Sequence, residues 1–317
     1  MKNSKYNEID LSNIKTSSIG DLSRKVERDE FARPLAEDAD IPALFESFPN
    51  ILAAKDLHKF AAIIANSKRA NGSLILMFGG HVIKTGLAPL LIDWIQKRII
   101  SCMSTHGAGI IHDTEIALFG RTSEDVAEGL ADGSFGMVKE TAEFINRAIS
   151  NPKNRDLGYG EAVAYALIEA KAPFADMSLL CAAYDSDVPM TVHVGLGTDI
   201  IHQHPSADGS AIGNSSMRDF RILADSVAQL NENSVVLNLG SAVLMPEVFL
   251  KALSVARNLG NQAHRFTTAN FDMLTHYRPM QNILKRPTMT GGKYYNFIGH
   301  HEIMIPLLHA MVGQEFK

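Results

Sequence analysis

The chain has 317 residues, 46% of them hydrophobic, with 30 basic residues against 35 acidic ones and a formal net charge of −5. That length and apolar fraction suffice for a sizeable core, as one large α/β domain or two smaller ones, and the charge balance excludes the basic footprint of a nucleic-acid binder. No apolar run approaches the roughly 20 residues of a membrane span, and the opening stretch MKNSKYNEIDLSNIK lacks the apolar core of a signal peptide, so no membrane partner and a cytoplasmic location are expected.

Residues 1–50 are polar and charged and read as an N-terminal helical arm, leaving 51–317 as a single α/β nucleotide-binding domain. Apolar spacing from Ala54 to Ser67 predicts an amphipathic helix. The apolar run Leu74 to Phe78 then stops at Gly79-Gly80, a helical pattern follows from Leu87 to Arg98, and a second apolar run, Ile99 to Met103, ends in Thr105-His106-Gly107-Ala108-Gly109. Strand, glycine turn, helix, strand, glycine turn is the βαβ unit of a parallel sheet. It sets both turns at the carboxyl ends of neighbouring strands, where open α/β sheets bind ligands. A glycine there is expected to let a ligand approach the backbone.

Helical patterns occupy Lys139 to Ile149, Tyr159 to Ile168 and Met177 to Tyr184. The α/β rhythm then resumes. Strands are predicted over Val188 to Val194, Ser234 to Leu239, Ala263 to Thr268 and Tyr294 to Ile298, and helices over Arg218 to Asn231, Pro246 to Leu259 and Glu302 to Val312. Cys102 and Cys181 lie in apolar runs, as reduced core thiols do. The fold class expected is α/β, a doubly wound, mostly parallel sheet with helices on both faces.

The stretches GGHVIKTGLAPLLIDWI, MSTHGAGIIHDTEIAL, VPMTVHVGLGTD, NSVVLNLGSAV, FTTANFDMLTHYRP and HHEIMIPLL occur in that order over residues 60–312, and in order and spacing they resemble the deoxyhypusine synthase family. The resemblance implies a Rossmann-like fold that binds NAD, a homotetramer, and transfer of an aminoalkyl group from a polyamine through an active-site lysine. It assigns Gly79, Gly80, His81, Gly86, Thr105, His106, Gly107, Ala108, Gly109, Gly240, Ser241, Thr268 and Ala269 to the cofactor loops, and Lys285, His112 and Asp113 to catalysis. The family's lysine–histidine pair after the Gly240-Ser241 turn is replaced here by AVLMPEV, and its tryptophan-glycine-lysine motif is absent.

Read without the resemblance, the residues give a compatible picture. His81, His106, His112, His193, His202 and His204 fall at or just after predicted strand ends, where imidazole serves as acid, base or ligand. Asp199 is placed to hold a cationic amine, with His202 beside it and Glu247 near the Gly240 turn. No Gly-x-Gly-x-x-Gly fingerprint and no P-loop is present. The leading expectation is a deoxyhypusine-synthase-like, NAD-dependent enzyme with a small-molecule amine substrate. A metal-dependent enzyme built on the histidines, and a non-catalytic nucleotide-binding protein of the same fold, are the alternatives.

Overall fold

The computed structural model describes residues 4–317. The chain divides into two compact units, the first reaching to Lys55 and the second running from Asp56 to Lys317. In the first, regular structure among the described residues is limited to two 3₁₀ turns, Ile19–Asp21 and Arg28–Glu30, and the short helix Ile41–Glu46, before a long helix opens at Leu52. Asp40 starts the short helix by accepting the N–H of Ala43 at 2.9 Å.

The second unit is built on one six-stranded sheet: β1 Leu74–Phe78, β2 Cys102–His106, β3 Met190–His193, β4 Val235–Leu239, β5 Thr267–Asp272 and β6 Lys293–Ile298. Every pair is parallel, and the strand order is β3-β2-β1-β4-β5-β6. β1 and β4 are buried along their whole length, as central parallel strands covered on both faces must be.

The principal helices are α1 Leu52–Arg69, α2 Ala88–Gln96, α3 Gly107–Phe119, α4 Lys139–Ser150, α5 Tyr159–Glu169, α6 Leu179–Asp185, α7 Gly209–Ala228, α8 Leu244–Asn258 and α9 His301–Glu315. Alternation along the strands sorts the two faces. Ile75, Met77, Cys102 and Val236 pack with Leu223 and Val227 of α7 and Phe249 and Leu253 of α8. On the other face Phe60 of α1 lies 5.6 to 6.1 Å from the rings of Phe271, Tyr295 and Phe297.

One predicted strand is displaced. The sequence reading ends the fifth strand at Thr268, whereas β5 runs to Asp272. Ala263 and Phe266 are buried apolar residues that precede the strand, while the polar Asn270 and Asp272, which look like loop, lie inside it. Thr268 and Ala269 therefore pair with Val236 and Leu237 in the body of the sheet.

Asn270 is accommodated by register. It sits beside Asn238 on β4 and Asn296 on β6. Asn238 donates to Asn270 at 2.7 Å and to the carbonyl of Ser241 at 3.0 Å, and Asn270 donates to Asn296 at 3.1 Å. Three amides thus form a ladder across three strands.

Candidate functional site

The strand order 3-2-1-4-5-6 reverses direction between β1 and β4, the position at which doubly wound sheets open a crevice at their carboxyl edge. Both strands end there in glycine. Gly79 donates its N–H to Leu239 at 2.9 Å, and Gly240 donates to Phe271 at 2.9 Å. The two turns touch, since a β-carbon on Gly79 would lie 2.5 Å from the carbonyl oxygen of Gly240. Gly240 has φ +65°, a conformation that a residue with a side chain adopts only with strain.

The space beside the neighbouring glycines is filled by protein. A β-carbon on Gly80 would lie 3.0 Å from Cδ2 of His112, one on Gly107 would lie 2.0 Å from the carboxylate carbon of Asp199, and one on Gly240 would lie 2.5 Å from Cε1 of His301. Gly109 makes room for Thr105, whose hydroxyl donates to Phe78 at 2.9 Å and ties β2 to β1. All four openings are thus filled by polar side chains. Gly86, at φ +76°, has open space around its missing β-carbon.

Two groups of polar side chains flank the crevice. Toward β3, Asp199 and His202 have side chains 5% and 7% exposed, with Nε2 of His202 3.9 Å from Oδ2 of Asp199. Both of those atoms, and the buried hydroxyl of Tyr159, lack a hydrogen-bond partner. Gly197 donates its N–H to Nδ1 of His202 at 3.3 Å, which leaves the ring proton on Nε2. Burial pushes the Asp199 carboxyl up to about 6 and lowers His202. The negative charge of Asp199 is among the causes that hold the Tyr159 phenol well above its usual range, after burial itself.

Toward β5, His301 is buried at the start of α9 and its Nε2 donates to the carbonyl of Phe271 at 3.2 Å. Its Nδ1 is an acceptor with no hydrogen-bond partner, and so is Oδ2 of Asp272, which lies 3.9 Å from Nε2 of His276. The His81 ring lies 5.6 Å from that of His301, and its pKa is lowered by burial first and then by His301 and Lys84. On β2, burial lowers His106 as well.

Other residues singled out in the sequence lie elsewhere. Asp113 is fully buried and accepts from the Ser178 hydroxyl at 2.6 Å and from the N–H groups of Leu179 and Leu180 at 2.8 and 3.1 Å. It fastens the start of α6, and burial pushes its carboxyl up to about 6 against those bonds. Glu247, in the first turn of α8, bonds Lys251, Arg278 and Asn282. Ser241 accepts the N–H of Met245 at 3.3 Å, and Ala108 packs against Gly80.

Lys285 is exposed on the helical segment that crosses from β5 to β6. That crossover has by then returned toward the amino edge of the sheet, because Arg257 in the last turn of α8 donates to Pro287 at 3.1 Å. The structure therefore gathers His81, His106, His112, Asp199 and His202 around the carboxyl edge and sets Asp113 and Lys285 apart from it. Among the described residues, no three His, Cys, Asp or Glu side chains are arranged to hold a metal ion. A cavity of about 420 Å³, lined in part by Tyr184, Pro189, Thr191 and Asp219, lies against the outer strand β3 rather than at the switch point.

Sequence reasoning missed Asp272, Tyr159 and the partners of His112 described below. Asp272 was hidden by the displaced strand, and Tyr159 reads as an ordinary helix residue.

No protein-family model matches the chain, and no curated protein matches it in sequence. Solved structures share its fold. A candidate deoxyhypusine synthase from Entamoeba histolytica superposes with a TM-score of 0.54 at 10% identity, over 88% of this chain and 95% of that one. AgrE, solved as a ternary complex with ornithine and NAD+, gives 0.52 at 12% identity over 82% of this chain. ArgZ, an arginine dihydrolase from the ornithine-ammonia cycle in cyanobacteria, gives 0.51 at 13% identity over 83% of this chain. The chain spans about a third of the length of ArgZ and AgrE. The relation to these proteins is one of fold: an α/β protein with a single parallel sheet. No helix among the described residues is long and apolar enough to cross a membrane.

Proposed function

We propose that the chain binds a nicotinamide dinucleotide, NAD, across the β1/β4 switch point and acts on a small amine held toward β3. The observation that carries this reading is the switch point, where the strand order reverses and buried polar atoms on both sides lack hydrogen-bond partners. The fit of the cofactor rests on two of these residues. Asp272 Oδ2 and His301 Nδ1 are both acceptors without a hydrogen-bond partner, which suits the hydroxyl donors of a ribose. NAD would supply a hydride acceptor. The fold neighbour AgrE, solved with ornithine and NAD+, supports the pairing of that cofactor with an amine.

Asp199 carries the amine half of the reading. An ammonium beside its unpartnered Oδ2 gains a charge-assisted hydrogen bond, and the Tyr159 hydroxyl is a second acceptor for the same group. His112, at Gly80, is the proposed base.

The finer form, transfer of an aminoalkyl group through Lys285 within a homotetramer, is a separate proposal. Exposed apolar side chains of the arm, among them Ile9, Leu11, Ile14 and Phe31, support an assembly that covers them. The position of Lys285 favours an acceptor other than that lysine.

Calorimetry with NAD, followed by amines of increasing length in its presence, tests the reading. NAD binding that is weakened at least tenfold by Asp272→Asn, and amine binding abolished by Asp199→Asn, are the expected results. Absence of NAD binding at millimolar concentration overturns it.

A further inference from the structure

His112 belongs to a chain of hydrogen bonds that ends on a carboxylate. It lies on α3, one turn before Glu115, with its Nδ1 3.9 Å from Oε2 of Glu115. The hydroxyl of Thr122, on the loop after α3, sits between them, 2.7 Å from Nδ1 of His112 and bonded to Oε2 of Glu115. The other carboxylate oxygen accepts from the Thr141 hydroxyl at 3.1 Å. Side chains of His112 and Glu115 are 15% and 14% exposed, so the chain is shielded from water over most of its surface.

The donor roles follow from valence. A carboxylate only accepts, so the single hydroxyl proton of Thr122 goes to Glu115. Thr122 then meets the imidazole with a lone pair, and His112 must carry its proton on Nδ1. Nε2 is left as a bare lone pair. The ring carbon bonded to it, Cδ2, is the atom that abuts Gly80, so the lone pair is presented at the β1 glycine turn. Lys84 and His106 lie close enough to bear on the ring electrostatically.

We propose that Glu115 and Thr122 are positioning residues that lock His112 in its Nδ1–H tautomer and thereby fix Nε2 as the proton acceptor of the crevice. The inference rests on the reading of His112 as the base of the site and names what makes it one. A ligand N–H or O–H aimed at Nε2 loses its proton to that nitrogen and keeps the bonding pair. The imidazolium that forms retains Nδ1–H on Thr122, and the hydroxyl proton of Thr122 stays on Glu115, whose charge matches the new cation. Without the relay the two tautomers of a neutral imidazole compete, and one of them turns an N–H toward the ligand instead.

Nitrogen NMR of the full chain labelled in its histidines reads the tautomer directly, with His112→Gln identifying the signals. The expected result at neutral pH, without cofactor, is a bare Nε2 and a protonated Nδ1. Thr122→Val removes the acceptor and shifts His112 to a mixture or to the Nε2–H form, while Thr122→Ser and Glu115→Asp, which can rebuild the bonds, are the controls for folding. A wild-type His112 protonated on Nε2, or a folded Thr122→Val protein with an unchanged tautomer, overturns the relay. Titration with NAD in the same tube separates the two readings. The relay stands on the tautomer whether or not NAD binds, and the cofactor assignment stands or falls on the titration alone.

Discussion

The carboxylate carbon of Asp199 lies 2.0 Å from the point at which Gly107 would carry a β-carbon. The bare backbone at the start of α3 is therefore the seat of an acidic side chain, held against the positive end of a helix.

A methyl group at Gly107 must displace that carboxylate. Gly107→Ala is expected to destabilise the protein by about 1 to 3 kcal/mol, the usual cost of overpacking, in urea denaturation. In an Asp199→Ala background the same substitution becomes neutral or stabilising, because the obstacle is gone and alanine exceeds glycine in helix propensity by roughly 1 kcal/mol. Equal costs in both backgrounds would show that Asp199 is not what the glycine accommodates.

Stability should depend on pH through opposed groups. Asp219 is buried, accepts from Val192 at 2.7 Å and Gly160 at 3.0 Å, and burial pushes its carboxyl up to about 7. The native state then holds a proton that the unfolded chain, at an ordinary carboxyl value of about 4, has released, so this contribution is present at low pH and is lost as pH rises from about 4 to 7. His193 and His112, lowered by burial to about 3 and about 4, act oppositely. Their unfolded forms take up protons below about 6.5, so their contribution is present above that value and is lost as pH falls. In Asp219→Asn the histidines lose one opponent, and stability should climb more steeply from pH 4 to 6.5 than in the wild type. Parallel profiles in urea melts would remove Asp219 from the balance.

The amide ladder makes a graded prediction. Asn270→Ala breaks its centre, strands amides on two neighbouring strands and is expected to cost about 2 to 3 kcal/mol. Asn296→Ala, at the half-buried end on the outer strand, is expected to cost under half of that in the same denaturation assay.

Lys285 should be expendable. Lys285→Ala is expected to stay within about 0.5 kcal/mol of wild-type stability, as exposed substitutions do, with NAD affinity unchanged within a factor of two. Borohydride trapping with NAD and an amine, followed by peptide mapping, should leave Lys285 unlabelled. Labelling there would restore it to the mechanism.

Much of the fold is written locally. Leu74 to Phe78 is apolar without a break and ends in two glycines, so a central strand and its turn can be read from seven residues. Met190–His193 and Val235–Leu239 are equally plain. The order of the strands is not local, and it is the order that makes Gly79 and Gly240 neighbours. Likewise Asn238, Asn270 and Asn296 are unremarkable apart, and only the register of three parallel strands brings them together. Glycine roles were the least legible. A missing side chain announces a close approach without saying what approaches, and here His112, Asp199 and His301 do so. Thr122 and Glu115 carry no signal at all until α3 and the loop after it place them beside one imidazole.

Asp219 also has a bearing on how the molecule meets copies of itself. β3 ends the sheet, and an outer strand with free N–H groups is a template on which another chain can add. The N–H of Val192, midway along β3, is already bonded to the buried carboxylate of Asp219. The N–H of Val194 is likewise bonded, to the Ser216 hydroxyl of α7 at 3.3 Å, and every residue of β3 is buried. The outward donors of the strand are thus spent on α7, and the sheet is closed against growth from this side.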